Sequence, residues 1–284
     1  MAAIAAVLLS MILGRYLLHR VLTFPAMRRS SRNLVATKGS DPKVWLVAHT
    51  DSKSQTIAML PRIASIVLGW FFFLLMIAMM VKLSLESSVA TDFSDDLTGV
   101  QVSFLSFFTI LATVPFALCF VTNRSRGALD NASGVAAVLL AAELVESNRS
   151  VGVILTSGEE LALAGAKAFA ETHREKGIAI NCDTIDDRGA FVCMTEGKRD
   201  KARSGLASGA AATGQKLKTR STIPGILTDS IAFAEHGWDT CTLSRGNLAT
   251  LGRVHTSGDK PGRIDGSGVA LAARILAATI EELA

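Results

Sequence analysis

The chain has 284 residues, 49% of them hydrophobic and 19% charged, with a net charge of +4 and a mean hydropathy of +0.37. The length fits one large domain or a domain plus membrane segments, and the positive hydropathy with charge below the roughly 25% of soluble domains points towards a membrane protein with a lipid bilayer as partner. The positive balance belongs to arginines beside apolar runs, and no basic run is interleaved with aromatics, which argues against a nucleic-acid partner.

Three apolar stretches come first. Met1–Gly14 is uncharged up to Arg15, shorter than the roughly 20 residues a spanning helix needs. Its charge follows the apolar run and no small-residue cleavage site is evident, so residues 1–24 read as a membrane helix and not as a signal peptide. Residues 25–61 open a folded domain, with Lys43–Ala48 as a buried strand. Ile63–Val81 and Leu97–Asn123, the latter containing Pro115, are each long enough to span. Residues 62–123 therefore read as a transmembrane hairpin inserted into the domain, with a polar turn at Lys82–Asp96. Arg15, Arg20, Arg28, Arg29, Arg32, Lys53, Arg62, Arg124 and Arg126 lie on the domain side of these segments, and only Lys82 lies on the other. That asymmetry predicts a multi-pass protein of the cell (inner) membrane with its domain in the cytoplasm.

Residues 124–284 complete the domain. Val151–Thr156, Ile178–Cys182, Ala190–Thr195 and Thr240–Leu243 read as short buried strands. Ser133–Ser147, Glu160–Arg174, Asp229–His236 and Ser267–Leu283 read as helices, and Lys198–Thr222 as a helix with exposed flanks. The alternation predicts an α/β fold, a mixed, largely parallel sheet with helices on both faces, plus the transmembrane helices. Cys119, Cys182, Cys193 and Cys241 form no CxxC pair and no disulfide framework, so they read as free thiols in a reducing compartment.

Acidic residues and histidines gather just after the strand-like runs. His49 and Asp51 follow the first, Glu159 and Glu160 the second, and Asp183 the third. In open α/β sheets, ligand sites lie beyond the carboxyl ends of the strands. Asp130 stands before a helix and His255 in a polar loop. Singly, Asp130 is explained as a helix N-cap, the Glu159–Glu160 pair as charge at a helix start, and His255 as a loop histidine. Independent accidents at every strand end are much less economical than one shared site. Nitrogen and carboxylate donors without thiolates suit zinc, with manganese or cobalt as alternatives.

The segments His49-Thr50-Asp51, Asp130-Asn131-Ala132-Ser133-Gly134, Gly158-Glu159-Glu160, Asn181-Cys182-Asp183 and His255-Thr256-x-x-Asp259 resemble, in type and order, the motifs of the M28 metallopeptidases, two-zinc aminopeptidases and their relatives. Thr228-Asp229-Ser230-x-x-Phe233 resembles a further family segment. The resemblance implies a zinc aminopeptidase-like fold with two zinc ions per chain. It implies that Asp130 bridges them, that His49 and Asp183 complete one site, and that Glu160 and His255 complete the other. Asp51 would hold the His49 imidazole, and Glu159 would be the general base acting on the attacking water. The implied substrate is a peptide or aminoacyl small molecule; a glutaminyl-cyclase-like acyltransferase and a non-catalytic membrane protein are the alternatives. Two features depart from the family. His49 and Asp130 stand far apart, by close to the length of the hairpin, and Val254 precedes the last histidine where some relatives carry a tyrosine.

Overall fold

Every residue of Val44–His49, VWLVAH, is buried, as an unbroken apolar run requires of a strand covered on both faces. The structure is a computed structural model that describes residues 30–86, 95–173, 175–196, 200–222 and 226–283. In chain order its elements are β1 (Leu34–Lys38), β2 (Val44–His49), β3 (Ser54–Gln55), α1 (Met59–Glu86), α2 (Asp95–Ala117), β4 (Val121–Thr122), α3 (Ser133–Leu144), β5 (Val151–Thr156), α4 (Ala164–Thr172), β6 (Ile178–Ile185), β7 (Ala190–Thr195), α5 (Lys201–Ala212), β8 (Leu217–Ser221), α6 (Asp229–Glu235), β9 (Asp239–Gly246), α7 (Leu248–Leu251) and α8 (Ser267–Leu283). The expected membrane helix over 1–24 lies outside the described residues.

Seven strands form one sheet in the order β1-β5-β2-β6-β9-β7-β8. The four from β5 to β9 in that order run parallel, β1 and β7 pair antiparallel to their inner neighbours, and β8 runs parallel to β7. The sheet is thus mixed and largely parallel, with helices on both faces. On one face, α3, α5 and α8 pack Val138, Leu206 and Leu276 against Leu46, Ile180 and Leu243. On the other, Phe169 of α4 and Phe233 of α6 meet Trp45, Ile154 and Trp238. Trp45 lies so close over Gly152 that a Cβ there would fall 2.1 Å from the indole, which is why a glycine stands inside β5.

Three segments differ from the sequence reading. The chain after Lys198 is not one helix with loose flanks, because Leu217–Ser221 forms the edge strand β8; its polar, exposed side chains hide it from a search for buried runs. The helix expected from Glu160 begins only at Ala164, since Ala162 and Leu163 take left-handed backbone angles that a right-handed helix cannot contain. Leu118–Asn123 leaves α2, and residues 121–122 pair with β3 instead. Pro115 lacks an amide hydrogen for the ladder, and Ser65 Oγ of α1 reaches in beside it, donating to Ala112 O at 2.5 Å and accepting from Phe116 N at 3.3 Å.

Two helices among the described residues are long and apolar enough to cross a membrane. They are Met59–Lys82, with a mean hydropathy of 2.5, and Gly99–Ala117, with 1.7. They pack on each other, with Phe72 and Phe108 at 5.6 Å between ring centroids and Gly69 against Thr113. Their outward faces expose Trp70, Phe71, Phe104 and Ile110. Both ends of the pair are held at one place on the domain by the β3–β4 ladder, by Thr56 N donating to Phe120 O and by Arg124 N donating to Ser54 Oγ.

Candidate metal centre

Because β5, β2 and β6 run parallel, their carboxyl ends deliver side chains to one edge of the sheet. His49 is the last residue of β2. Asp183 lies inside β6, which continues to Ile185 across an irregularity where Thr184 adopts φ 59°. Glu159 and Glu160 occupy the tight turn between β5 and α4. Asp130 lies in the kinked turn Ala128–Ala132 that leads into α3, with non-helical backbone angles at φ −119° and ψ 90°. His255 stands in the turns after α7, at φ 60°. Left-handed backbone at Ala162, Leu163, Thr184 and His255 thus surrounds one spot, a concentration of strain typical of functional sites.

The sequence-selected residues converge there. His49, Glu159 and Asp183 form one group whose donor atoms lie within 4.8 Å of one another, and Asp130, Glu160 and His255 form a second. Asp130 links them, with Oδ1 3.1 Å from His49 Nε2 and Oδ2 2.8 Å from His255 Nε2. His49 Nε2 is also 3.7 Å from Asp183 Oδ1, and His255 Nε2 is 3.0 Å from Glu160 Oε1. Glu159 therefore sits beside the His49–Asp183 half of the site.

The Asp51 carboxylate takes a different post from the one inferred for it. His49 Nδ1 is held at 3.0 Å by the main-chain oxygen of Asp51, and the carboxylate stands 3.9 Å away. Its two oxygens accept instead from the main-chain amides of Glu159 and Glu160, each at 3.1 Å. The acidic pair leaves β5 in a turn rather than a helix, so those amides need an acceptor, and Asp51 is the nearest one.

Further residues complete the frame. Asp259 accepts from the amides of Leu129 at 2.6 Å and Asp130 at 3.2 Å, fixing the turn that carries Asp130. Asn131 donates to Cys182 O and accepts from Gly134 N and Thr184 N, tying that turn to the strand of Asp183. Gly134 is confined by this stitch, since a Cβ there would meet Asn131 Oδ1 and Cys182 O at 2.3 Å. Lys53 pairs with Glu160 Oε2. Asp259, Asn131 and Gly134 stand inside motifs read from the sequence, but their work is to bind main-chain groups, which no spacing announces. Lys53 carries no signal at all.

The electrostatics ask for a cation. Asp130, Glu159 and Asp183 are buried, with Glu160 beside them. Burial would lower the His49 imidazole, but Asp130 and Asp183 more than offset it and hold it well above its usual value. His255 behaves alike, with Asp130 and Glu160 outweighing burial and raising it to about 9. Burial, with the charges of Asp183, Asp229 and Glu160, pushes Glu159 up to about 10 against the pull of His49. Burial would raise Asp130 too, yet hydrogen bonds with His255 and His49 hold it well below the carboxylate range. Protons thus do the compensating here, a task a divalent cation takes over when carboxylates and imidazoles crowd together. His49 Nε2 and Glu160 Oε1, one from each group, are buried and face only other members of the cluster, an arrangement that fits metal coordination.

A cavity of about 570 Å³ opens over the site. Asp130, Glu159, Glu160, Asp183 and His255 line one wall, and Met59, Ile66, Phe116 and Ala117, from the bases of α1 and α2, line the other.

Comparison with known proteins bears on this geometry. A family model described as Peptidase family M28 matches residues 111–280. The fold is similar to that of an aminopeptidase from Aneurinibacillus sp. strain AM-1, at TM-score 0.57 and 16% identity over 88% of this chain and 47% of that one. It is also similar to a leucine aminopeptidase precursor from Bacteroides thetaiotaomicron VPI-5482, at 0.55 and 14% over 94% and 87%, and to Bacteroides thetaiotaomicron glutaminyl cyclase, at 0.55 and 15% over 87% and 76%. The chain spans about half the length of the Aneurinibacillus protein. No curated protein matches the sequence.

Proposed function

Because the chain belongs to peptidase family M28, we propose that it is a membrane-bound, zinc-dependent hydrolase of peptide bonds, acting on N-terminal aminoacyl groups. The observation that carries this reading is the Asp130 carboxylate, whose two oxygens face two imidazoles from opposite ends of the chain. In this reading Asp130 would serve two zinc ions, of which His49 and Asp183 would hold one and Glu160 and His255 the other. Bound there, the pair supplies Lewis acidity, which polarises a scissile carbonyl and lowers the pKa of the attacking water.

The chain's own groups do the rest. Asp51 grips the Glu159 and Glu160 amides, so the two adjacent carboxylates are held for different tasks. Glu159 accepts a proton from the attacking water and passes it to the leaving amine. The main-chain oxygen of Asp51 keeps Nδ1 of His49 protonated and leaves Nε2 free for a ligand's role.

α1 and α2 act in this reading as a hairpin in the bilayer, because large apolar side chains cover their outward faces. The excess of lysines and arginines on the domain side favours a catalytic domain that faces the cytoplasm. A single cysteine at Ser204, which is exposed on α5, should resist an impermeant maleimide in intact cells, and one at Ser94, between the apolar runs, should react. The opposite pattern puts the site outside.

The function itself is tested by metal content per chain together with hydrolysis of aminoacyl-4-nitroanilides. Two zincs with hydrolysis support the reading. Glu159→Gln should keep the metal and lose about 10²- to 10⁴-fold in rate, the usual share of a general base. Cyclisation of N-terminal glutamine without hydrolysis would favour the acyltransferase alternative, and metal without turnover the non-catalytic one.

A further inference from the structure

The cavity over the candidate centre does not end at the domain. Ile66 and Phe116 line it, and the same two residues line a second hollow of about 380 Å³ that runs between α1 and α2. Gly69 and Thr113 floor this groove, and Trp70 and Phe73 flank it. From Ile66 to Phe73 it covers about 10 Å along α1, at 1.5 Å per residue. It lies wholly within the segment apolar enough to cross a membrane. A polar pocket bearing carboxylates thus continues into an apolar slot between two helices.

We propose that this groove is the tail-binding arm of the hydrolytic site, and that the substrates are aminoacyl amides whose leaving amine carries one long alkyl chain. The proposal rests on the hydrolase reading above and names its substrate class. Three observations fix the occupant. The groove shares Ile66 and Phe116 with the cavity, so one molecule can occupy both. Its floor is a close helix contact, where even a Cβ on Gly69 would stand 2.9 Å from Thr113 Cγ2. A helical peptide, about 10–12 Å across, is too wide for such a slot, whereas a single extended chain lies in it. Finally, the two ends differ in charge. The aminoacyl end must reach the wall that carries the centre and Glu159, so the scissile carbonyl lies there and the leaving amine points towards Phe116 and Ile66.

The reaction is hydrolysis. The water oxygen bonds to the carbonyl carbon, the C–N bond breaks and a water proton ends on the departing amine. The products are a free amino acid and a long-chain alkylamine. A chain already in lipid gains little from entering an apolar groove, so its contribution is positional: it holds the amide over the site.

The full-length protein, in detergent micelles and in lipid nanodiscs, is assayed on leucyl-ethylamide and leucyl-dodecylamide, with release of leucine as the readout. The expected kcat/KM ratio, long over short, is about tenfold or more, a modest share of what positioning can supply. Gly69→Leu on α1 and Thr109→Leu on α2, where Thr109 also lines the groove, each fill it, and each should bring that ratio towards one. Substrate partitioning into micelle or lipid is common to all variants and cancels. Hydrolysis of both amides with a flat ratio in the unmodified protein overturns the groove and leaves the hydrolase reading standing. A high ratio that survives both substitutions also overturns the groove. Failure to hydrolyse either amide, or any aminoacyl-4-nitroanilide, sinks the hydrolase reading and this proposal with it.

Discussion

At the carboxyl edge of the sheet, carboxylates and imidazoles are packed out of water, and Asp51 and Asp259 fix the backbone that carries three of them. Along α1 and α2 the reverse holds: Phe71, Phe104 and Ile110 stand more than half exposed, with few polar contacts between the helices. Each region is unusual in plain water, one crowding buried carboxylates with imidazoles and the other exposing large apolar side chains. The two meet at the small β3–β4 ladder, which clamps the helical pair between His49 and Asp130 without touching the order of the main sheet. The insertion therefore leaves the α/β frame whole, and its cost falls only on the spacing of the first two motifs.

The sharpest way to break this comparison is to remove the group on which the polar region centres. Asp130→Ala should lose both metals and all hydrolysis. Bound metal stabilises a fold by about 3–4 kcal/mol at 100 to 1,000 times Kd. A chelator should therefore lower the melting temperature of the unmodified protein and leave that of the variant unchanged. A variant that still holds two zincs per chain would reduce Asp130 to a residue that merely opens α3.

Next comes the apolar region. Replacing Met59–Ala117 by a short polar linker, with β3 and β4 kept, should give a protein that stays in solution without detergent and still binds metal. The ends allow it, because Thr56 N already donates to Phe120 O and Thr56 Oγ1 to Leu118 O. Failure to fold with every linker length tried would show that the helical pair supports the sheet as well as the cavity. A smaller loss is expected where the frame meets the chemistry. Asp51→Ala removes the acceptor of two amides and leaves the main-chain oxygen on His49 in place. It should lower kcat/KM by roughly 10- to 100-fold, as loss of a supporting hydrogen bond does, with the His49 half of the site still binding metal. Unchanged kcat/KM would mean that the Glu159–Glu160 turn needs no support.

The same contrast explains what could be read from residues alone. β2, β5 and β6 were legible because buried parallel strands are apolar throughout, and His49 and Asp183 because each breaks such a run. α1 and α2 were legible from length and composition. The edge strands β1 and β8 were not, since LVATK and LKTRS lie mostly exposed and are short. The bonds from the Glu159 and Glu160 amides to the Asp51 carboxylate were not legible, because the turn that presents those amides is set by left-handed angles at Ala162 and Leu163. Chemistry carried by side chains at strand ends leaves a pattern in the sequence. Chemistry carried by the backbone of turns leaves none.

The smallest effect is expected on the flank of the site, where Asp186 follows β6. Arg253 pairs with its carboxylate, Thr250 Oγ1 donates to it at 2.6 Å and the Asp187 amide donates at 2.8 Å. Burial alone would raise this carboxyl, but the bonds from Thr250 and Arg253, with that amide, hold it below its usual value. A carboxylate with a depressed folded pKa adds stability that is complete above its unfolded pKa, near 3.9, and disappears as pH falls through the folded value. Asp186→Asn should therefore cost stability at pH 7, by about 1–2 kcal/mol, since the pair is mostly buried and Asn keeps part of the hydrogen bonding. It should cost progressively less from pH 5 down to pH 3. Denaturant midpoints of both proteins across that range measure the difference directly. A gap that stayed constant with pH would mean that Asp186 contributes through shape and hydrogen bonding, not charge. A gap that widened on acidification would reverse the sign assigned here and place the protonated carboxyl in the native state.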